Sequence, residues 1–227
     1  MTSKDGLIAA IRTILATSGT PYASTFEAHD AYEGYVFSLV VSVARKCGAT
    51  VDYVAVTGES TRKLLFRTAP GMLYSTTHPY THAELQFPGA GVPALEVHLG
   101  VRVQGGSRVL HECDVLVLPK DEADRSRMGQ VAPRGNKAVL AIECKFYAAH
   151  LQLNVARGFE GLHADLGLRH TLFVSNLPGP RVATYLSHRR RSWEQQVRPG
   201  SPQVNHLETL VREAFKNYCA KHGFVLP

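Results

Sequence analysis

The chain has no Cys-x-x-Cys pair; its four cysteines, Cys47, Cys113, Cys144 and Cys219, lie far apart. Cys113 and Cys144 sit inside apolar runs, where a reduced thiol behaves as a small hydrophobe. That spacing argues against a zinc knuckle or a disulfide framework and for a reducing compartment. No stretch approaches the roughly 18 apolar residues needed to cross a bilayer. The opening residues, Met1 to Gly6, lack the apolar core of a secretory signal. The expectation is a soluble, cytoplasmic protein with no membrane partner. Gly89-Ala90-Gly91 is not followed by the Lys-Ser/Thr of a phosphate loop, which excludes triphosphate binding of that kind. Repeats, low-complexity tracts and clear domain boundaries are absent too.

What is present is ordinary globular composition: 227 residues, 44% hydrophobic and 19% charged. That length suits a single domain with a substantial core. The formal charge of +6 and eleven histidines are compatible with a polyanionic partner, although basic proteins often have none.

Hydrophobic spacing predicts helices over residues 5–18, 26–47, 149–166 and 204–222, with a further helical stretch over 181–186. Strands are expected at 50–57, 94–104, 107–118, 138–147 and 171–175, the second and third joined as a hairpin around Gly105-Gly106. Residues 60–67 read as either a short helix or a strand. The Pro-, Gly-, Thr- and His-rich segment 68–93 reads mostly as loop. The charged segment 119–137, 19 residues without periodicity, reads as a mobile or functional connection. The order of elements gives one α/β domain spanning residues 1–227.

Two of these strands carry charges where a buried strand should have none. Val109 to Leu118 contains Glu112 and Asp114, and Ala138 to Tyr147 contains Glu143 and Lys145. Burying an unpaired carboxylate costs several kcal/mol, so each acid needs a compensating partner. Alternation puts Glu112 and Asp114 on one face, and Glu143 and Lys145 on one face. If the strands are neighbours, their acids converge beside an ammonium. Such a group suits a hard divalent cation and a water to be activated. A buried structural salt bridge is the plain alternative.

Asp114, followed 29 positions later by Glu143-Cys144-Lys145, resembles the motif of the PD-(D/E)xK phosphodiesterase superfamily. The resemblance covers roughly residues 27–175, although Cys113 replaces the proline of the motif. It implies a restriction-endonuclease-like core: a central mixed sheet flanked by helices, in the order helix, three strands, helix, strand. It further implies Mg²⁺, with Mn²⁺ as a substitute, held by Asp114, Glu143 and the backbone carbonyl of Cys144. Glu112 would hold a second ion or steady Lys145, and Lys145 would orient or deprotonate the attacking water. A first-helix acid is expected at Glu33, with Glu27 in reserve, and a polar helix-opening residue at Gln152.

Plainer readings stand beside these: Glu33 on a solvated helix face, Glu112 at a strand entrance, and Gln152 as a cap. His78, His82, His98 and His111 match no tight zinc-ligand spacing and read as loop and surface histidines. Arg189, Arg190, Arg191 and Trp193 form a basic, aromatic-bearing stretch that would grip phosphates and stack a base, or else is a solvated loop.

The expected activity is Mg²⁺-dependent hydrolysis of phosphodiester bonds, in DNA rather than RNA. The resemblance suggests a restriction or antiviral-defence endonuclease acting as a homodimer. The alternatives are a junction-resolvase-like repair nuclease and a catalytically silent nucleic-acid-binding or assembly module.

Overall fold

A computed structural model of the chain describes residues 3–23 and 25–226. Helix α1 (Lys4–Leu15) starts where the Ser3 hydroxyl accepts the Gly6 N–H. It lays Leu7, Ile8, Ile11 and Leu15 against α2 (Ala28–Lys46). The second helix is buried along most of its length, with Tyr32, Tyr35, Val36, Phe37 and Val40 inside. Its first turn is fixed by Glu27 N–H donating to Asp30 Oδ2 at 2.7 Å. A cationic last turn, Arg45-Lys46, and Gly48 at φ 85° mark its end.

All seven strands join one sheet in chain order: β1 (Thr50–Ala55), β2 (Thr81–Gln86), β3 (Leu95–Gln104), β4 (Leu110–Pro119), β5 (Leu140–Lys145), β6 (Thr171–Ser175) and β7 (Ser192–Glu194). The first five are antiparallel to their neighbours. The β5–β6 and β6–β7 pairs are parallel, linked by the crossover helices α4 (Leu153–Leu166) and α5 (Pro180–His188). Helix α3 (Lys120–Gly129) follows β4, and α6 (Gln203–Lys221) returns to pack on α2. Each sheet face has its own core. One, with α1, α2 and α6, takes Val97, Leu99, Val115, Val117, Ile142 and Cys144. The other, with α4 and α5, takes Val101, Val103, Cys113, Leu116, Leu118 and Phe173. The protein is therefore α/β, with a seven-stranded mixed sheet flanked by helices. Among the described residues, no helix is long and apolar enough to cross a membrane.

Several expectations need correcting. Segment 68–93 is mostly loop, as expected, but β2 lies within it; that strand offers only Ala83 and Leu85 as apolar residues. Segment 119–137 holds α3 and a 3₁₀ turn, Gly135–Lys137. This helix went unread because it buries Glu122, Ala123 and Ser126 rather than an apolar stripe. Residues 60–67 form neither a helix nor a strand; Ser60 makes one bridge to Val54.

The strand alternation also slips, at one place. Leu99 and Val101 belong to opposite cores, as do Val115 and Cys113, so Gly100 and Asp114 mark the slip on neighbouring strands. Leu99 pairs with Val115 and Val101 with Cys113, which places Gly100 opposite Asp114. Gly100 has φ 57°, and its carbonyl turns away to accept Gly71 N–H at 2.9 Å. Period-two alternation therefore cannot be carried across residue 114, and Glu112 and Asp114 do not share a face on that argument.

A Cβ at Gly100 would meet nothing closer than 3.6 Å, so only the backbone conformation resists substitution. Gly100→Ala should cost about 1–2 kcal/mol, read from urea unfolding; a neutral result would mean the left-handed conformation is not required there.

Candidate metal centre

Asp114 lies in the middle of β4, and its carboxylate reaches across to β5, where Oδ2 accepts the backbone N–H of Cys144 at 2.6 Å. The paired register of the two strands ends at Val115–Ile142, with Asp114 and Glu143 the next residues on each strand. Lys145 then closes the group, with Nζ 2.5 Å from Glu143 Oε1 and 3.9 Å from Asp114 Oδ2. Asp114 is buried, while Glu143 and Lys145 are partly open to solvent. Cys144 points into the α2-side core, as alternation from Glu143 and Lys145 requires.

Glu33 approaches from α2. Burial first, then the charges of Asp114, Asp30 and Glu112, raise its pKa far above the ordinary carboxylate range, against the pull of Lys145. Burial and Glu143 likewise raise Asp114, opposed by Lys145 and the Cys144 amide. Glu112 is exposed, and burial of part of its head together with Glu143 raises it, with Lys145 and Arg102 opposing. Burial alone would lower Lys145, but Glu143 and Asp114 outweigh it and hold the ammonium firmly protonated. Four carboxyls thus share one internal ammonium, with Arg102 aiding only the outermost. A hard dication would supply the missing positive charge, and Mg²⁺ needs only one or two protein carboxylates with water completing its shell. The donor set of Asp114 and Glu143 fits that ion.

The reserve acid, Glu27, is occupied in capping α2. Gln152 occupies the N-cap position of α4, is exposed, and makes no side-chain capping bond. Nothing ties its side chain to Asp114.

A second charged cluster was missed. His82 and His98 are not loop or surface residues: they lie buried on β2 and β3, their rings stacked on each other at 4.7 Å beside Glu96. His98 Nε2 is 2.8 Å and His82 Nε2 3.5 Å from Glu96 Oε2. Among the described residues, this is the group of three His, Cys, Asp or Glu whose ligand atoms all lie within 4.8 Å of one another. A metal would nevertheless meet competition. Arg127 of α3 donates to both Glu96 oxygens, at 2.6 and 2.8 Å, and Lys120 lies 3.4 Å away. Burial would raise Glu96, but the bonds from His98 and Arg127 outweigh it and hold the carboxyl well below its usual range. Burial and His98 push His82 down to about 3. The cluster already contains its countercharge, so it reads as an ion-paired clamp holding α3 to the sheet. The signal was available in the alternation of His82 with Glu84 and of Glu96 with His98 on strands otherwise apolar.

His78 is exposed, as expected. His111 is not a free surface histidine, since its Nε2 lies 2.6 Å from Asp165 Oδ2. The same carboxylate accepts from Ser107 N and Oγ and fastens the β3–β4 turn to α4. The basic stretch is largely committed to the fold. Arg191 Nε donates to Glu160 at 2.5 Å, Arg189 lies over the Tyr185 ring, and Trp193 donates to Ser187. That is a correction to the reading of Arg189, Arg191 and Trp193 as an open phosphate grip; Arg190, at φ 55°, is exposed.

No family model, no curated protein and no solved structure matches this chain.

A carboxyl whose pKa is raised by folding contributes stability below its unfolded pKa and loses it as pH rises through the folded value. The metal-free protein should therefore weaken as pH climbs above the ordinary carboxylate range. Added Ca²⁺ should restore stability by replacing those protons, by about 2.7 kcal/mol at a hundredfold excess over Kd. The gain should be larger at about pH 8 than at about pH 5.5, and Asp114→Asn should abolish it. Equal melting-temperature gains at both pH values would count against a cation site. For the second cluster, Arg127→Met should cost about 3–5 kcal/mol in urea unfolding by stranding Glu96. Arg127→Met with Glu96→Met together should recover part of that loss.

Proposed function

We propose that this protein is a Mg²⁺-dependent nuclease that hydrolyses phosphodiester bonds in DNA. The observation that carries the reading is the meeting of Asp114, Glu143 and Lys145 at the β4–β5 junction, with carboxyl charge in excess of ammonium. The order α2, β3, β4, β5, α4, β6 also supports a restriction-endonuclease-like core. In that order the acid of Asp114 falls on the second strand and Glu143-Cys144-Lys145 on the third.

Phosphodiester hydrolysis must neutralise charge on the phosphoryl oxygens and place a water in line with the leaving group. Asp114 and Glu143 would hold Mg²⁺, with the Cys144 carbonyl as a third donor, and the ion would supply charge neutralisation at the phosphoryl group. Asp114 is held in place by the Cys144 N–H, so its carboxylate is preorganised rather than free to swing. Lys145, salt-bridged to Glu143, positions the water through an N–H and takes part in its proton transfer when the local charge balance changes. Glu33 holds a proton in the absence of a cation and offers a hydrogen bond from α2 to a nearby water. Cutting both strands of a duplex calls for two such centres, so a homodimer belongs to the proposal. A restriction or antiviral-defence role, or a junction-resolving one, would follow from which DNA form is cut.

The test is plasmid cleavage with Mg²⁺ against EDTA. Wild type should nick or linearise DNA only with the metal. Lys145→Met and Asp114→Asn should each lose about 10²–10⁴-fold in rate while remaining folded. Binding without cleavage, across Mg²⁺ and Mn²⁺ and across single-stranded, duplex and branched DNA, would overturn the nuclease in favour of a silent binding module.

A further inference from the structure

The opposite end of the sheet carries a cleft of about 720 Å³. Its floor is the end of β4 at Pro119 and the entry to β5 at Ala138 and Val139. Its walls are the α4–β6 turn, Gly167 to His170, and the last turns of α6. Because β5 and β6 run parallel, their starts share this edge, and the acid cluster lies at the far ends. From Val139 to Lys145 the chain climbs about 20 Å at about 3.3 Å per residue. The cleft is therefore separate from the Asp114 centre.

Its charge is of the other sign. Lys137, Arg169 and Lys221 are exposed on its rim, from three different elements. No carboxylate lies in salt-bridge range of any of the three among the described residues, although the start of α3 lines the cleft with two acids, Asp121 and Glu122. Of those acids, Glu122 is bound by Arg125 and Arg134, and Asp121 Oδ1 accepts the Glu122 N–H. The polar interior is built rather than incidental. Asn217 Nδ2 lies 3.0 Å from His170 Nε2, and an amide nitrogen can only donate there; burial and Arg169 lower the pKa of that ring, with Glu213 opposing. The His222 ring packs at 4.8 Å against Tyr218 and forms an aromatic lip beside Lys221. Three uncommitted cations converging from separate elements suit an anion carrying more than one charge, such as a chain of phosphates. A volume of this size exceeds what phosphate alone fills and matches a small organic ligand. A duplex backbone would instead track cations spread along an open groove.

We propose that this cleft is a second binding site, for a small phosphate-bearing ligand of nucleotide size, held by Lys137, Arg169 and Lys221 with Asn217 and the His222 ring beside it. The inference does not rest on the nuclease reading.

The probe is ATP, titrated calorimetrically into the full chain in EDTA, so that no cation loads the acid cluster. Inorganic pyrophosphate, adenosine and a short single-stranded oligonucleotide provide the other arms. Saturable ATP binding is expected, with Arg169→Ala plus Lys221→Ala weakening it at least about tenfold and Lys145→Met leaving it unchanged. These rim side chains are exposed, and a matching circular dichroism spectrum for each variant, with Arg169→Lys as the charge-retaining partner, separates binding loss from unfolding. Absence of saturable binding, or binding indifferent to the double substitution, overturns the site. Loss with Lys145→Met would mean that ATP sits at the acid cluster instead. Pyrophosphate binding as tightly as ATP overturns the nucleotide-sized part of the proposal. An oligonucleotide that binds the cleft more tightly than ATP overturns the small-ligand assignment. Plasmid cleavage decides the other reading separately.

Discussion

The bond from Cys144 N–H to the Asp114 carboxylate fixes the geometry on which the candidate centre depends. It replaces a plain backbone ladder contact with a side-chain acceptor at the point where β4 changes phase. With Asp114 bonded to β5, Lys145 lies within salt-bridge range of both Asp114 and Glu143, so three charged heads meet over a short span of strand. Gly100 completes the local arrangement from the other side, by turning its carbonyl towards Gly71 rather than continuing an even strand. Without that slip, regular pleating would carry Asp114 and its neighbours to faces that the two apolar cores already fill.

Two buried charged clusters make the contrast that assigns a role. Around Glu96, two histidines, Arg127 and Lys120 surround one carboxylate, and the balance holds its pKa low. Around Asp114 the ratio is reversed: carboxyls outnumber the ammonium, and their pKa values rise. The first arrangement is finished as it stands and serves the attachment of α3. The second carries a standing electrostatic penalty that folding alone does not remove. A protein retains such a penalty where binding a cation gives it a use, which is the trade of stability against activity common to functional sites.

Much of this was legible from the residues. The alternation of Glu143 with Lys145 followed from an apolar run and period two; that their strand neighbours the one bearing Asp114 was a condition there, which the β4–β5 pairing meets. The elements that were missed share one property: they are held by polar contacts rather than by apolar stripes. Helix α3 buries Glu122 and Ser126, and β2 contributes His82 to the interior; hydrophobic periodicity is blind to both. The exposure of Glu112 agrees with its plainer reading as a strand-entrance residue; the phase slip at Asp114 is what the sequence did not place, although Gly100 hints at it. The pairing of Arg191 with Glu160 was likewise invisible, since the two lie 31 residues apart in sequence.

Strand direction ties the two ends of the molecule together. Since β5 and β6 run parallel, everything that precedes them gathers at one edge and everything that ends them at the other. The first edge collects Lys137, Arg169 and, through α6, Lys221; the second collects Asp114's partners, Glu143 and Lys145. A formal charge of +6 is thus not spread evenly: it coexists with a local carboxyl excess at the far edge. A polyanion approaching that edge would meet repulsion until a cation is bound, so the proposed phosphodiester chemistry would be gated by the metal. The proposed cationic cleft has no such requirement and would receive anions in the metal-free protein. The same strand polarity that separates the two sites therefore also separates the conditions under which each can be filled.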